Sequence, residues 1–160
     1  MPRIFKPENF FLSFFGTGFI PKAPGTFGTL AAMPIIYLIV KYQTPSIFII
    51  PFYSTTFIFS IFLINYVQKK NNLHDPSWIV IDEVLGIIPA ALFINENSLW
   101  HYIAIFTLFR IFDIAKPFPI NIVDKKMKGG FGVMLDDIIA GVMTIFSYKI
   151  LFFLLTKISF

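Results

Sequence analysis

Residues 47–67 read IFIIPFYSTTFIFSIFLINYV, twenty-one positions without a charged side chain. At about 1.5 Å of rise per residue, a helix of that length matches the roughly 30 Å hydrocarbon core of a bilayer. Hydrocarbon offers no partner for an open backbone, so such a span is helical. The composition of the whole chain agrees. Hydrophobic residues make up 56% of 160 and charged residues 14%, with mean hydropathy +0.76. Soluble domains carry about 25% charged residues. Twenty-two phenylalanines exceed what one soluble core needs, so lipid must cover much of the surface.

Four further apolar stretches flank this one. Leu30 to Val40 is short for a span unless the turn before it also enters the membrane. Trp78 to Ile94 carries Asp82 and Glu83 near its start. Leu99 to Ala115 contains Arg110 and Asp113 near its end, and Ile138 to Leu155 follows Asp136 and Asp137 directly. The N-terminal region is not expected to be a cleavable signal. Phe10 to Ile20 is interrupted by Gly16-Thr17-Gly18, and Pro21-Lys22 follows where a small-residue cleavage site would stand. The expected fold class is therefore all-α. It is a single-domain polytopic membrane bundle over residues 1–160, with about four to five transmembrane helices and an N-terminal interfacial or re-entrant segment.

Basic residues set the orientation. With the N-terminus in the cytoplasm, Arg3, Lys6, Lys22, Lys69, Lys70, Lys116, Lys125, Lys126 and Lys128 fall inside. The far side receives Lys41 and Lys157, with Glu96, a marked positive-inside asymmetry. The same topology gathers Asp75, Asp82, Glu83, Asp113, Asp124, Asp136 and Asp137 at cytoplasmic span ends or loops. Acids there are costly unless paired or metal-bound, and convergence on one site explains them economically. The net charge of +4 lies beside apolar spans, which points to anionic lipid head groups and away from nucleic acid.

Four constellations can carry chemistry. Adjacent Asp82 and Glu83 diverge by about 100° on a helix, so they can face two metals or two partners. Gly86 stands one turn past Asp82, and Gly141 one turn past Asp137. The plain alternative for both acid pairs is a helix start whose charges offset the dipole. Gly129-Gly130-Phe131-Gly132 is expected to be a flexible loop whose N–H groups could approach a phosphate, although a simple turn reads as well. Arg110 and Asp113, three apart, either pair with each other or divide between a phosphate and the metal site. In the dense Gly/Pro/Thr stretch from Gly16 to Thr29, Thr17, Lys22, Thr26 and Thr29 could bind phosphate oxygens; a structural re-entrant turn is the alternative. Asp124 with its neighbouring lysines reads as an interfacial amphipathic segment.

Other chemistries fall away. Absence of cysteine excludes thiolate nucleophiles and zinc–thiolate sites. His74 and His101 lie on opposite sides of the expected topology, leaving at most one candidate phosphohistidine. There is no G-x-x-x-x-G-K-[ST] loop and no Asp-x-Asp motif. What remains is a carboxylate cluster for a hard cation; oxygen ligands together with phosphate favour Mg²⁺.

Several blocks carry a family resemblance. They are Gly16-Thr17-Gly18 with Pro24-Gly25-Thr26-Phe27-Gly28-Thr29-Leu30, Asp82-Glu83-Val84-Leu85-Gly86, Phe112-Asp113-Ile114-Ala115-Lys116-Pro117, and the run from Gly129 to Gly141. Together they resemble phosphatidylglycerophosphatase A, in order and over nearly the whole chain. Thr29 stands where that family often has Ser, which keeps a hydroxyl. The resemblance implies a Mg²⁺-dependent enzyme of the bacterial inner membrane. It would convert phosphatidylglycerophosphate to phosphatidylglycerol and phosphate on the cytoplasmic side. It carries the metal positions to Asp82, Glu83, Asp113, Asp136 and Asp137. Asp82 and Asp137 are the expected direct ligands, Glu83 the expected base or second-metal ligand, and Arg110, Lys116, Lys22, Thr26 and Thr29 the expected phosphate contacts. Oligomeric state is left open. The competing readings are a phosphatase for another lipid such as phosphatidate, and a small ion-coupled transporter. A transporter should place polar groups at mid-membrane and on both sides, whereas these acids gather on one.

Overall fold

A computed structural model describes residues 6–72, 76–94 and 97–158. Arg3, His74, Asp75 and Glu96 lie outside the described residues. The described chain is helical with no strand. Its elements are α1 (Pro7–Leu12), a 3-10 turn (Thr17–Phe19), α2 (Pro24–Lys41), α3 (Ser46–Asn71), α4 (Ile81–Ile87), a 3-10 segment (Ile88–Phe93), α5 (Leu99–Ala115), α6 (Ile120–Lys126) and α7 (Gly129–Ile158). Among the described residues, three helices are long and apolar enough to cross a membrane: α2, α3 and α7. In α3 only 11% of the most apolar window is buried against protein, so Phe48, Phe52 and Phe62 point outward, an exposure compatible with a lipid-facing surface.

Helix α5 has the expected bounds. It starts after extended Ser98 and stops where Lys116 turns left-handed (φ 42°) ahead of Pro117. A residue before proline is disfavoured in the α region, which ends the helix there.

The stretch expected as one span from Trp78 to Ile94 is instead broken. Pro89 has no N–H to give the carbonyl of Leu85 four residues back, so the α-helix cannot continue through it. That carbonyl accepts the Tyr53 hydroxyl of α3 at 3.0 Å instead. The short α4 survives because it is enclosed by protein: Ile81, Asp82, Val84, Leu85, Gly86 and Ile87 are all buried. It packs mainly on α7 and α2.

Two glycine-rich segments also differ from expectation. Residues from Pro24 onward form the first turns of α2, with irregular backbone confined to what precedes them. Gly129 to Gly132, expected as a loop, opens α7. Helix propensity disfavours glycine there, but packing overrides it. A Cβ at Gly130 would overlap the Ile61 carbonyl of α3, and the Gly130 N–H is taken by Asn65 Oδ1 at 2.7 Å. The starts of α2, α4 and α7 and the end of α5 consequently meet at one end of the bundle. The N-terminal segment latches onto the entry to α4: the Val80 N–H bonds the Leu12 carbonyl at 3.0 Å, and Phe19 stacks on Trp78.

Candidate active site

Helix α4 presents Asp82 and Glu83 in its first turn. Helix α7 reaches Asp137 two turns after its start. One carboxylate oxygen from each of Asp82, Glu83 and Asp137 lies within 4.8 Å of the other two. Asp82 and Asp137 are buried and Glu83 is partly so. The approach depends on small residues. A Cβ at Gly141 would overlap the Gly86 carbonyl, and one at Gly86 would lie 2.8 Å from the Asp137 carbonyl oxygen. The two glycines that follow the two aspartates by one turn therefore face each other across the α4–α7 contact. Bare backbone there lets the carboxylates converge.

Helix α2 supplies a third wall. A Cβ at Gly25 would overlap Glu83 Oε1 and come within 3.2 Å of Arg110 Nη1, so Gly25 sits where Glu83 and Arg110 come together. Arg110 donates to Thr29 Oγ1 at 3.2 Å and pairs with Asp113 one turn along α5. Thr29 in turn donates to the Gly25 carbonyl at 2.8 Å. Asp113 acts electrostatically on both Glu83 and Asp137.

Asp136 stands outside this group and is tied on its other side. Its Oδ2 accepts Lys116 Nζ at 2.9 Å, and its Oδ1 accepts the Asp137 N–H at 3.0 Å. Lys116 also pairs with Asp124. Burial alone would lower the Lys116 pKa, but the hydrogen bonds to Asp124 and Asp136 outweigh it and hold the ammonium well above the usual lysine value. Thr26 is half-buried in the first turn of α2, and Lys22 is exposed just before it. The structure thus groups Asp82, Glu83 and Asp137, sets Asp113, Arg110 and Thr29 against them, and ties Asp136 to Lys116 at one side. Sequence reasoning passed over Gly25 as a site residue and Asn65 as an anchor for α7. A lone amide in an otherwise apolar span was the available signal for Asn65.

The donor set fits a hard divalent cation. Glu83 Oε2 and Asp137 Oδ1 are both inaccessible and have no hydrogen-bond partner. Buried carboxylate oxygens normally find one, and unpaired buried charge costs several kcal/mol. Three anionic oxygen donors without sulfur or imidazole suit Mg²⁺ better than softer metals.

Three membrane-length apolar helices among the described residues, with a group of carboxylates gathered at one end, place the chain with helical membrane proteins that carry an acidic site. The phosphatidylglycerophosphatase A family profile matches residues 10–152, and the chain belongs to that family. Membership makes it a phosphatase. It is 37% identical over 131 residues to phosphatidylglycerophosphatase A of Haemophilus influenzae, covering 82% of this chain and 80% of the relative. It is 36% identical over 133 residues to the Escherichia coli K12 protein of the same name, covering 81% and 74%. A Bacteroides thetaiotaomicron protein named as a candidate phosphatidylinositol-3-phosphatase is 39% identical over 135 residues, covering 80% and 82%. No solved structure matches the chain.

Proposed function

We propose that this protein hydrolyses the terminal phosphate of phosphatidylglycerophosphate, with Mg²⁺, at the cytoplasmic face of a bacterial inner membrane. The observation that carries the reading is the gathering of Asp82, Glu83 and Asp137 against Arg110 at one end of a bundle of apolar helices. Two relatives named for this activity support the substrate. The basic residues near this end support the orientation. We take α2, α3, the α4–3-10 segment, α5 and α7 as the membrane-inserted pieces, alternating in direction.

Asp82 and Asp137 would hold the cation, with Glu83 and Asp113 beside it and Asp136 steadied from behind by Lys116. A divalent ion bound there supplies positive charge against the phosphoryl oxygens and acidifies water. The chain's own groups do the rest. Arg110 exchanges part of its pairing with Asp113 for a phosphoryl oxygen, and its planar fork fixes the phosphate in orientation. Thr29 holds the guanidinium in place during that exchange. Glu83 Oε2, which lacks a hydrogen-bond partner, takes the proton of the attacking water as the water oxygen bonds to phosphorus, and returns that proton to the glycerol oxygen as the phosphorus–oxygen ester bond breaks. The surrounding apolar helices exclude bulk water, which strengthens each of these interactions.

Phosphate release from phosphatidylglycerophosphate, phosphatidate and phosphatidylinositol 3-phosphate in mixed micelles tests the reading. Activity should be highest on the first, vanish with chelator and return with Mg²⁺. Preference for either other lipid would refute the substrate. Full activity in excess chelator would refute the metal.

A further inference from the structure

A cavity of about 270 Å³ lies between the end of α3, the end of α6 and the start of α7. Gln68, Asp124, Lys128 and Asp136 bring their polar groups to it, over a floor that includes Gly129 and Gly132. Asp136 lines it, and the next residue along α7, Asp137, belongs to the carboxylate group. We propose that this cavity is the head-group subsite. It would seat the glycerol and phosphodiester that join the lipid to its terminal phosphate. The inference rests on the phosphatase reading above and adds to it the basis of head-group choice.

Hydrogen-bonding capacity and one unpaired lysine support that occupant. Lys116 spans Asp124 and Asp136 and offsets one of their two negative charges. Lys128, exposed at the mouth, is the lining cation that no described carboxylate pairs with, and it can meet a phosphodiester anion. Gln68 is half-buried and offers both a donor and an acceptor, which suits a secondary hydroxyl. Among the described residues, no side chain pairs with Gln68 or Lys128. The cavity sits at the same end of the bundle as Lys69 and Lys70, the level expected for head groups. Phosphatidate has no group to place there and would leave these polar side chains unfilled, which is how a hydrogen-bonding site rejects a truncated analogue.

The probes are glycerophosphoglycerol, which is the deacylated head group without the terminal phosphate, and inorganic phosphate, which reaches only the carboxylate group. Each is titrated as an inhibitor of the full-length protein in mixed micelles, alongside the KM for phosphatidylglycerophosphate. Gln68→Leu should weaken glycerophosphoglycerol and raise the KM by about tenfold, the value of one lost hydrogen bond. Inhibition by inorganic phosphate should not move with it. Lys128→Met should act in the same direction, with an effect that shrinks as salt rises. Should Gln68→Leu fail to fold, the exposed Lys128 carries the test alone. Weakening of both inhibitors in equal proportion, or of neither, overturns the subsite. A wild-type protein that releases phosphate only from another lipid refutes the phosphatase reading instead, while the glycerophosphoglycerol titration still reports on the cavity.

Discussion

Gly86→Ala separates two opposed effects in this structure. Alanine favours a helix over glycine by about 1 kcal/mol, so by propensity alone the substitution should stabilise α4. The contact with α7 says the reverse. The added Cβ would lie 2.8 Å from the Asp137 carbonyl oxygen and 2.9 Å from its Cβ, the first of these 0.6 Å short of the 3.4 Å at which ordinary contact begins. Both neighbours are fixed parts of a helix, so α4 and α7 must move apart. Overpacking of this kind costs about 1–3 kcal/mol, which exceeds the propensity gain. The displacement falls on Asp137 itself, whose carboxylate must stay near Asp82 and Glu83. A misplacement of about 1 Å at a catalytic group can cost roughly a hundredfold in rate, so 0.6 Å should cost about tenfold or more. Gly86→Val, with two further methyl groups, should abolish activity. The assay is phosphate release in detergent, normalised to protein eluting as a single species, with a thermal midpoint for each variant. A Gly86→Ala protein that melts higher and keeps full kcat/KM would refute the argument that bare backbone at this crossing assembles the carboxylates.

Asp82→Asn and Asp137→Asn should each lower the rate by about a thousandfold while the protein still inserts, because an amide cannot offset the cation's charge. Glu96→Gln, expected on the far side, is the matched control, and near-normal activity in both Asp variants would refute the site. A reporter fused after Lys128 should be cytoplasmic and one fused near Asn97 periplasmic; finding both on one side sinks the topology. Tyr53→Phe should destabilise by about 1–3 kcal/mol, since it strips the Leu85 carbonyl of its donor at the Pro89 break, and an unchanged thermal midpoint would show that the carbonyl finds another partner.

How far the sequence could be read followed from where each signal acts. Solvent-like signals were legible: the uncharged run in α3 and the Ser98 and Lys116-Pro117 borders of α5 report on lipid and on local backbone sterics, which need no knowledge of neighbours. The signals that failed were those in which a neighbour reverses a local preference. Gly129 to Gly132 looked like a loop because glycine is a poor helix former, yet α3 packs so closely at Gly130 that a Cβ there would overlap the Ile61 carbonyl. Pro89 was visible in the sequence, but the Tyr53 hydroxyl that makes its break tolerable lies 32 residues away from Leu85.

The same distinction governs the acids. Counting carboxylates at one membrane level pointed to a shared site and could not say which way each side chain turned. Asp136 and Asp137 are equivalent by composition, and only the packing of α7 against α4 on one face and α6 on the next separates them. That face assignment puts Asp137 with Asp82 and Glu83, and hands Asp136 to Lys116. The pattern of an acid followed one turn later by glycine was the one sequence feature that carried face information. It marked the side of each helix where a second backbone comes close, and Gly86 and Gly141 meet on that side. Asp136 has no glycine one turn on, since Ala140 stands there, and it is the aspartate that turns away. Small residues at the α4–α7 crossing thus separate Asp137 from Asp136, while Glu83, with Ile87 one turn on, joins the group from the position next to Asp82.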